Sequence, residues 1–318
     1  MSAGSALRAT GAGDAWRRSS RIGASFCLDT LGLFYSALII YNNLMESQKP
    51  EFILSRHAKK VEKSTRDNEL SENYPGITKE GEKEAREKTR EIKEIIENLP
   101  QEAVVILSGI SKAIRTRSTL EIYGDELKNN FKNREDITFV SNKDESSNKE
   151  KSLNKKLEEL RNLSKFEGKK TVILFPLWIK QFTAPQGKWK EWSDYFSKTG
   201  INKDSEIAQW IDVKKGPDPK EVAEDLLVGL QRLEDFFQKF FKGRPIIILN
   251  VDHGGELDAL FTYLANEGKL TSEGFKKIGN REAQESELAR LSYLPGQGIE
   301  FNYRGNKFLF KGDEKSEI

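Results

Sequence analysis

The chain has few of the side chains that build disulfides and metal sites: its 318 residues include one Cys and two His. A single cysteine cannot form an intramolecular disulfide, and it excludes any zinc site built from several cysteines. Two histidines are too few for a three-histidine metal site, which disfavours a zinc hydrolase. We therefore expect chemistry that needs neither a metal nor another cofactor.

Net charge is also small, with 52 Lys+Arg against 50 Asp+Glu and a formal charge of +2. A nucleic-acid partner normally requires a basic domain or stripe, so none is expected. The share of charged residues, 32%, indicates a soluble protein, and the length is ample for a buried core. Without a disulfide pair or a complete signal or membrane-spanning segment, we expect a cytoplasmic protein with no stable membrane association.

The composition changes near Met45. Residues 1–48 contain no lysine, whereas the rest of the chain is rich in Lys, Glu, Asn and Ile. We interpret residues 1–44 as a poorly ordered N-terminal appendage and residues 45–318 as the functional domain. The motifs described below all lie outside the appendage, so its removal is expected to leave activity almost unchanged.

The appendage itself has three interpretations. Residues 26–41 are apolar, but Asp29 interrupts them and they are shorter than the ~20 residues of a membrane-spanning helix. The preceding Arg17 and Arg18 suit a secretory or twin-arginine signal, and the Arg- and Ser-rich start resembles an organellar transit peptide. We favour the third interpretation, an upstream extension without a fold of its own.

In the domain, short apolar runs alternate with helical patterns. The apolar runs predict buried strands at residues 52–55, 103–107, 137–140, 171–175 and 246–251. Helices are predicted at residues 78–98, 112–127 and 219–242 and from residue 256, with a C-terminal hairpin at residues 299–303 and 307–310. Strands separated by helices imply a doubly wound α/β fold, with a mostly parallel central sheet and helices on both faces. The charged and Trp-rich segment at about 144–215 is predicted to form a helical cap.

Both histidines follow predicted strands. The run FILS leads into Arg56 and His57, and the run IIILNV leads into Asp252 and His253. In parallel sheets, ligands bind beyond the carboxyl ends of the strands, where these side chains stand. The arginine-containing segment 111–119 follows the second strand. One guanidinium group can bind two phosphate oxygens at once, and a neutral imidazole can attack phosphorus as a nucleophile. This set of residues therefore suits a phosphoryl group.

Four short motifs in this order resemble the histidine phosphatase superfamily, which includes cofactor-dependent phosphoglycerate mutases and many phosphatases. They are Arg56-His57, Thr78-x-x-Gly81-x-x-x-Ala85, Ser111-x-x-x-Arg115-Thr116-x-x-Thr119 and His253-Gly254. The resemblance spans about residues 52–310 and implies a phosphoglycerate mutase-like fold. It also implies that His57 is the nucleophile that becomes phosphorylated, that Arg56 and Arg115 bind the phosphoryl group, and that His253 is the second histidine of the pocket.

The third motif has two registers. Counting from Ser108 would put Lys112 where the family has arginine, whereas counting from Ser111 puts Arg115 there and aligns both threonines, so we choose Arg115. Two residues depart from the family pattern. Ala58 stands where glycine is usual, and Asp252 stands where a small hydroxyl residue is usual. Asp252 either raises the pKa of His253 and keeps that ring cationic, or faces away.

The family also uses a carboxylate, usually Glu, beyond the third strand to protonate the leaving oxygen. No local pattern identifies this residue here. We predict Glu145, with Asp144 second and Glu191 third.

Together, these residues predict a metal-independent phosphomonoester hydrolase that acts through a phosphohistidine on His57. Its substrate is expected to be a phosphorylated small molecule or a phosphoprotein. Two alternatives stay open: a phosphoglycerate mutase-like phosphotransferase, which a bisphosphorylated cofactor would stimulate, and a non-catalytic phospholigand-binding module. Trp178, Trp189 and Trp192 either stack on a sugar or base of the substrate or form the core of the cap.

Overall fold

The computed structural model describes residues 50–62, 65–100, 102–109, 113–141, 162, 171–178, 210, 216–241, 243–278, 287–294 and 296–311. All of them fall within one unit of the chain, Lys49–Ile318. The predicted appendage, residues 1–44, lies outside the described residues. Most of the predicted cap does too, so both assignments stay predictions.

The described residues contain eight strands, numbered in chain order. They are β1 (Glu51–Arg56), β2 (Val104–Gly109), β3 (Ile137–Ser141), β4 (Thr171–Trp178), β5 (Ile246–Asp252), β6 (Ala289–Leu294), β7 (Gly298–Tyr303) and β8 (Asn306–Phe310). The helices are α1 (Lys79–Glu97), α2 (Ile114–Asn130), α3 (Pro219–Phe240), α4 (Gly254–Ala265) and α5 (Ser272–Ile278), with a short 3-10 helix at Asp67–Glu69.

All eight strands belong to one sheet, in the order β3-β4-β2-β5-β1-β6-β7-β8. The first five strands in that order are parallel, and β6, β7 and β8 continue the sheet in antiparallel fashion from the edge of β1. The most hydrophobic strand, β5, lies between β2 and β1 near the middle of the sheet. The carboxyl ends of β1, β2 and β5 therefore meet at one edge of the sheet.

Helices cover both faces of the sheet, because successive side chains of a strand point to opposite faces. In β5, Ile246 and Ile248 are buried in a cluster with residues of α3 and α4. Ile247 and Leu249 are buried in a second cluster with residues of α1 and α2. The predicted α/β class, with a doubly wound and mostly parallel sheet, is confirmed.

Several predicted elements differ from those observed. Helix α4 begins at Gly254, two residues earlier than predicted, and β6 and α5 were not predicted. Strand β4 continues past Pro176 to Trp178, beyond the predicted end at residue 175. Its pairing with β2 shifts register between Ile106 and Ser108, which accommodates the proline that lacks an N–H. Within the predicted cap, residues 171–178 therefore form a strand of the central sheet.

Among the described residues, no helix is both long and apolar enough to cross a membrane.

Candidate functional site

The two histidines lie side by side because their strands are neighbours. Arg56 at the end of β1 is in register with Asp252 at the end of β5, and the His57 N–H donates to the Asp252 carbonyl at 3.0 Å. The rings of His57 and His253 are 5.2 Å apart between centroids, in an edge-to-face arrangement. The structure thus brings together two imidazoles that are far apart in the sequence.

Arg115, in the first turn of α2, bridges these two rings. Its Nε donates to Nε2 of His57 at 3.0 Å, and its second guanidinium nitrogen lies 3.2 Å from Nδ1 of His253. Arg56 is buried, and its charge is among those that lower the pKa of both histidines. All four residues predicted from the sequence to bind or receive a phosphoryl group therefore occupy one site.

The contacts of the ring nitrogens define which of them carries a proton. Nδ1 of His57 lies 2.8 Å from the Ala58 carbonyl, so this nitrogen is the N–H and Nε2 keeps its lone pair. A guanidinium has only donors, so Nδ1 of His253 accepts from Arg115. In its neutral form, His253 consequently carries its proton on Nε2. One ring presents a nucleophilic lone pair, and the other presents a donor.

Both rings are held neutral by their surroundings. Burial lowers the pKa of His57 well below its ordinary value of 6.5, and the neighbouring His253, Arg115 and Arg56 lower it further. Burial also lowers the pKa of His253 to about 3, with Arg115, Arg56 and Lys60 as further causes. Of the two alternatives for Asp252, the one in which it raises the pKa of His253 and keeps the ring cationic is wrong, because burial and these cations lower that pKa.

The threonine that ends the third motif holds the loop after β1 in place. Thr119 Oγ1 accepts a hydrogen bond from the Ala58 N–H at 2.9 Å and donates to the Arg115 carbonyl at 2.8 Å. It thereby joins the segment that carries His57 to the turn that carries Arg115. Ala58 does not have a positive φ, so its backbone conformation does not require a glycine.

Two glycines of the motifs are explained by close approaches of the chain. A Cβ on Gly81 would lie 2.6 Å from the carbonyl oxygen of Lys59, two residues after His57. A Cβ on Gly254 would lie 2.9 Å from Nε of Arg56. Thr78 completes the first contact: its N–H donates to the Lys59 carbonyl at 3.0 Å, and its side chain caps α1. The second and fourth motifs thus position the loop and the guanidinium around His57.

Further cations stand near the histidines. Lys60 is half-buried and acts electrostatically on His253, whereas Lys59 is exposed and forms an ion pair with Glu80. Helix α4 begins at Gly254 with His253 as its N-cap, so its positive end meets the same edge of the sheet. Arg56, Arg115, Lys60 and this helix end create a field that favours an anion with two negative charges.

The three predicted proton donors, Glu145, Asp144 and Glu191, lie outside the described residues, as do Trp189 and Trp192, and none of their roles is tested. Trp178 lies on β4 in the central sheet. In the part of the chain that the structure describes, no group of three or more His, Cys, Asp or Glu side chains is placed to hold a metal ion.

Sequence reasoning overlooked Glu256, in the first turn of α4. Its charge raises the pKa of the Arg115 guanidinium, which burial lowers, and it is also a cause, second to burial, of the raised pKa of Asp252. The sequence placed the start of α4 at this residue without indicating either effect. The charge of a carboxyl group therefore acts on the candidate site.

No protein-family model matches the chain, and no curated protein matches it in sequence. Among solved structures, it is similar to mycobacterial hydrolase 1, with 12% identity and a TM-score of 0.41 over 83% of this chain and 98% of that chain. It is also similar to phosphoglycerate mutase from Bacillus anthracis, with 12% identity and a TM-score of 0.39 over 82% of this chain and 96% of that one. A mycobacterial glucosyl-3-phosphoglycerate phosphatase gives 11% identity and a TM-score of 0.39 over 83% and 99%.

Proposed function

We propose that the chain is a phosphomonoester hydrolase of the histidine phosphatase type, in which His57 carries the phosphoryl group between two transfer steps. The observation that supports this most directly is the single guanidinium of Arg115, 3.0 Å from one imidazole nitrogen and 3.2 Å from the other. A cation held between two neutral imidazoles is suited to receive a dianionic group.

In the first step, Nε2 of His57 attacks phosphorus and the bond from phosphorus to the leaving oxygen breaks. The neutral ring is available for this attack because burial keeps the pKa of His57 well below 6.5. Arg115 exchanges its contact with Nε2 for the phosphoryl oxygens, and Arg56 and the Nε2–H of His253 bind the remaining negative charge. In the second step, water attacks phosphorus, the nitrogen–phosphorus bond breaks, and phosphate leaves.

The test uses the full chain with p-nitrophenyl phosphate as substrate and rapid quenching in alkali, which preserves phosphohistidine. We expect the wild-type chain to release p-nitrophenol and to carry acid-labile phosphate on His57. His57→Ala should lose both turnover and the covalent label, because the nucleophile is gone. Turnover that persists in this variant would contradict the assignment of the nucleophile.

Arg115→Ala should reduce kcat/KM on the order of 10²–10³-fold, comparable with loss of one preorganised oxyanion donor. Arg134→Ala is the matched control, because Arg134 is an exposed arginine whose guanidinium pairs with Asp136 outside the site. Binding of vanadate without any release of p-nitrophenol by the wild-type chain would favour a phospholigand-binding module instead of a hydrolase.

A further inference from the structure

The peptide that joins Arg56 to His57 is held from both of its sides. Its N–H, which belongs to His57, donates to the Asp252 carbonyl of β5 at 3.0 Å. Its carbonyl, which belongs to Arg56, accepts from the side-chain hydroxyl of Ser55 at 3.1 Å. A trans peptide is planar and points its N–H and its C=O in opposite directions, so the two bonds together fix the orientation of the plane. That orientation sets the direction in which the His57 side chain leaves the backbone.

The Ser55 hydroxyl takes the place of a neighbouring strand at this carbonyl. Strand β1 lies between β5 and β6, and in the described residues its pairing with β6 ends with Leu54 opposite Ala289. The Arg56 carbonyl points away from β5 and lies beyond this last pair. A buried carbonyl without a donor is costly, so the chain needs another donor at this point. Ser55 supplies it, and both residues are buried.

Tyr123 of α2 holds the Ser55 hydroxyl in turn. The two side-chain oxygens are 2.9 Å apart, and both residues are almost completely inaccessible to solvent. A serine hydroxyl has one proton, which Ser55 donates to the Arg56 carbonyl, so the Tyr123 hydroxyl is the donor to Ser55. Burial raises the pKa of Tyr123 above its ordinary value of 10.0, so the phenol keeps this proton. The bond stops the Ser55 hydroxyl from rotating away from the carbonyl.

Tyr123 is the third contact from one face of α2 to the end of β1 and the loop after it. Arg115, Thr119 and Tyr123 stand four residues apart, so they line the same face of the helix. The first contacts the ring of His57, the second holds the loop after β1, and the third holds the end of β1 itself. The ring of Tyr123 belongs to a buried apolar cluster, where a phenylalanine ring would fill the same space. Packing therefore accounts for the ring and not for its hydroxyl.

We propose that the Tyr123 hydroxyl is a positioning group for His57: through Ser55 it fixes the peptide before His57, and thus the direction from which Nε2 meets phosphorus. This inference rests on the proposed hydrolase. Tyr123 does not touch the reacting atoms itself. A misdirected nitrogen lowers kcat because attack requires aligned reacting atoms. The guanidinium of Arg115 still binds the phosphoryl oxygens, so KM changes less.

The test removes this hydroxyl and keeps the ring. We expect Tyr123→Phe in the full chain to lower kcat for p-nitrophenyl phosphate on the order of 10-fold, with a smaller effect on KM. Tyr293→Phe is the matched control, because the Tyr293 hydroxyl also donates inside the protein, to the Leu227 carbonyl at 2.8 Å. Tyr293 follows the residue of β6 that pairs with the first residue of β1, at the end away from His57, so kcat should not change. An unchanged kcat in Tyr123→Phe would overturn the positioning role.

Ser55→Ala breaks the same chain of hydrogen bonds and separates positioning from stability. It should lower kcat at least as much as Tyr123→Phe, and it should also lower the urea midpoint, because the Tyr123 hydroxyl is then buried without this partner. The double variant Ser55→Ala, Tyr123→Phe should regain part of the midpoint, since the buried phenol is gone, but its kcat should stay low. A kcat that recovers together with the midpoint would overturn the proposal, because activity would then follow stability alone.

A second measurement does not depend on turnover. The chain has two histidines, so a sample labelled with ¹⁵N-histidine shows the ring nitrogens of His57 and His253 alone. Tyr123→Phe should shift the ring signals of His57, whose Nε2 accepts from Arg115 at 3.0 Å, and Tyr293→Phe should leave them in place. Identical His57 signals in the wild-type chain and in Tyr123→Phe would overturn the positioning role alone. A wild-type chain that neither hydrolyses p-nitrophenyl phosphate nor acquires phosphate on His57 would overturn the hydrolase, and the ring signals would still decide whether Tyr123 positions His57.

Discussion

The two histidines at the centre of the site lie in surroundings that disfavour their protonated forms. His57 and His253 are the two histidines of the chain, and both are held neutral by burial and by nearby cations. In an unfolded chain each would titrate near 6.5. Folding at acidic pH therefore has to exclude two protons that the unfolded chain takes up.

This difference predicts how stability depends on pH. The pKa values of both histidines are lower in the folded chain than 6.5. The free energy of unfolding is therefore unaffected by these histidines above pH 6.5, and it decreases as the pH falls from there towards the pKa of about 3 for His253. Each histidine contributes a slope of up to ~1.4 kcal/mol per pH unit to the free energy of unfolding. The raised pKa of Asp252 acts in the opposite direction, since the folded state holds that proton as the pH rises above 3.8.

The measurement is urea unfolding at a series of pH values for the wild-type chain and the double variant His57→Gln, His253→Gln. Asp252 is common to both proteins, so the difference between their curves isolates the histidines. We expect the double variant to lose less stability than the wild-type chain below pH 6.5. Parallel curves would show that the rings are not held neutral in the folded chain.

At the same scale, the sequence predicted those candidate site residues that a local sequence pattern marks. Arg56, His57 and His253 follow apolar runs, and the register of the third motif selected Arg115 over Lys112. The contribution of Glu256 could not be predicted in this way. Its charge acts on Asp252 at the end of a strand and on Arg115 in another helix, and no periodic spacing in the sequence relates these positions.

At the scale of the elements, a glycine allows α1 to pack closely against the loop that follows β1. In an ordinary helix, Gly→Ala stabilises by roughly 0.5–1 kcal/mol. At Gly81 a Cβ would stand 2.6 Å from the carbonyl oxygen and 2.8 Å from the amide nitrogen of Lys59, and backbone atoms cannot turn aside as a side chain can. The usual sign of this substitution should therefore be reversed.

We expect Gly81→Ala to lower the free energy of unfolding by ~1–3 kcal/mol, the usual cost of overpacking. It should also reduce turnover, because the displaced loop carries His57. Chemical unfolding and p-nitrophenyl phosphate hydrolysis measure the two effects. Arg90→Ala, at an exposed position of the same helix, is the control and should change stability by less than ~0.5 kcal/mol. A stabilised Gly81→Ala variant would contradict the predicted close approach.

The elements themselves were predicted with uneven success, for physical reasons. Helix α1 has an N-cap and an acidic first turn, and helix α3 has an N-cap and a long apolar stripe, so their ends were predicted within two residues. Strand β6 alternates its burial only in its first half, and it pairs with a strand from the far end of the domain, so its local pattern was too weak to indicate a strand. Pro176 predicted an early end to β4, whereas a register shift in the pairing with β2 accommodates it.

For the whole molecule, the class of the sheet was predictable and its strand order was not. Apolar runs show that a strand is buried on both faces, but they do not show which strand lies beside it. The order β2-β5-β1 comes from pairings such as Val104 with Ile246 and Glu51 with Ile247, which join distant parts of the chain. The site depends on that order, since it lies where β1 and β5 end together.

The position of β5 predicts the effect of shortening the chain. A chain that ends at Arg244 lacks β5, and β1 and β2 then have no strand between them. We expect it to show no cooperative thermal transition by circular dichroism and no binding of vanadate, because β5 joins β1 to β2 and contributes residues to both core clusters, and because the shorter chain also lacks His253. A chain that ends at Lys311 keeps all eight strands and is the control. Cooperative melting of the shorter chain would contradict this dependence.

The same sheet order has a consequence for how the protein is made. Strand β1 is among the first segments of the domain to leave the ribosome, yet both of its neighbours, β5 and β6, come from the last quarter of the chain. At a synthesis rate of 5–20 residues per second, His57 is translated about 10–40 s before His253. During that interval β1 has two unpaired edges, the kind of surface that chaperones shield and that aggregation exploits. The newborn polypeptide thus acquires its candidate site only after β5 has been translated.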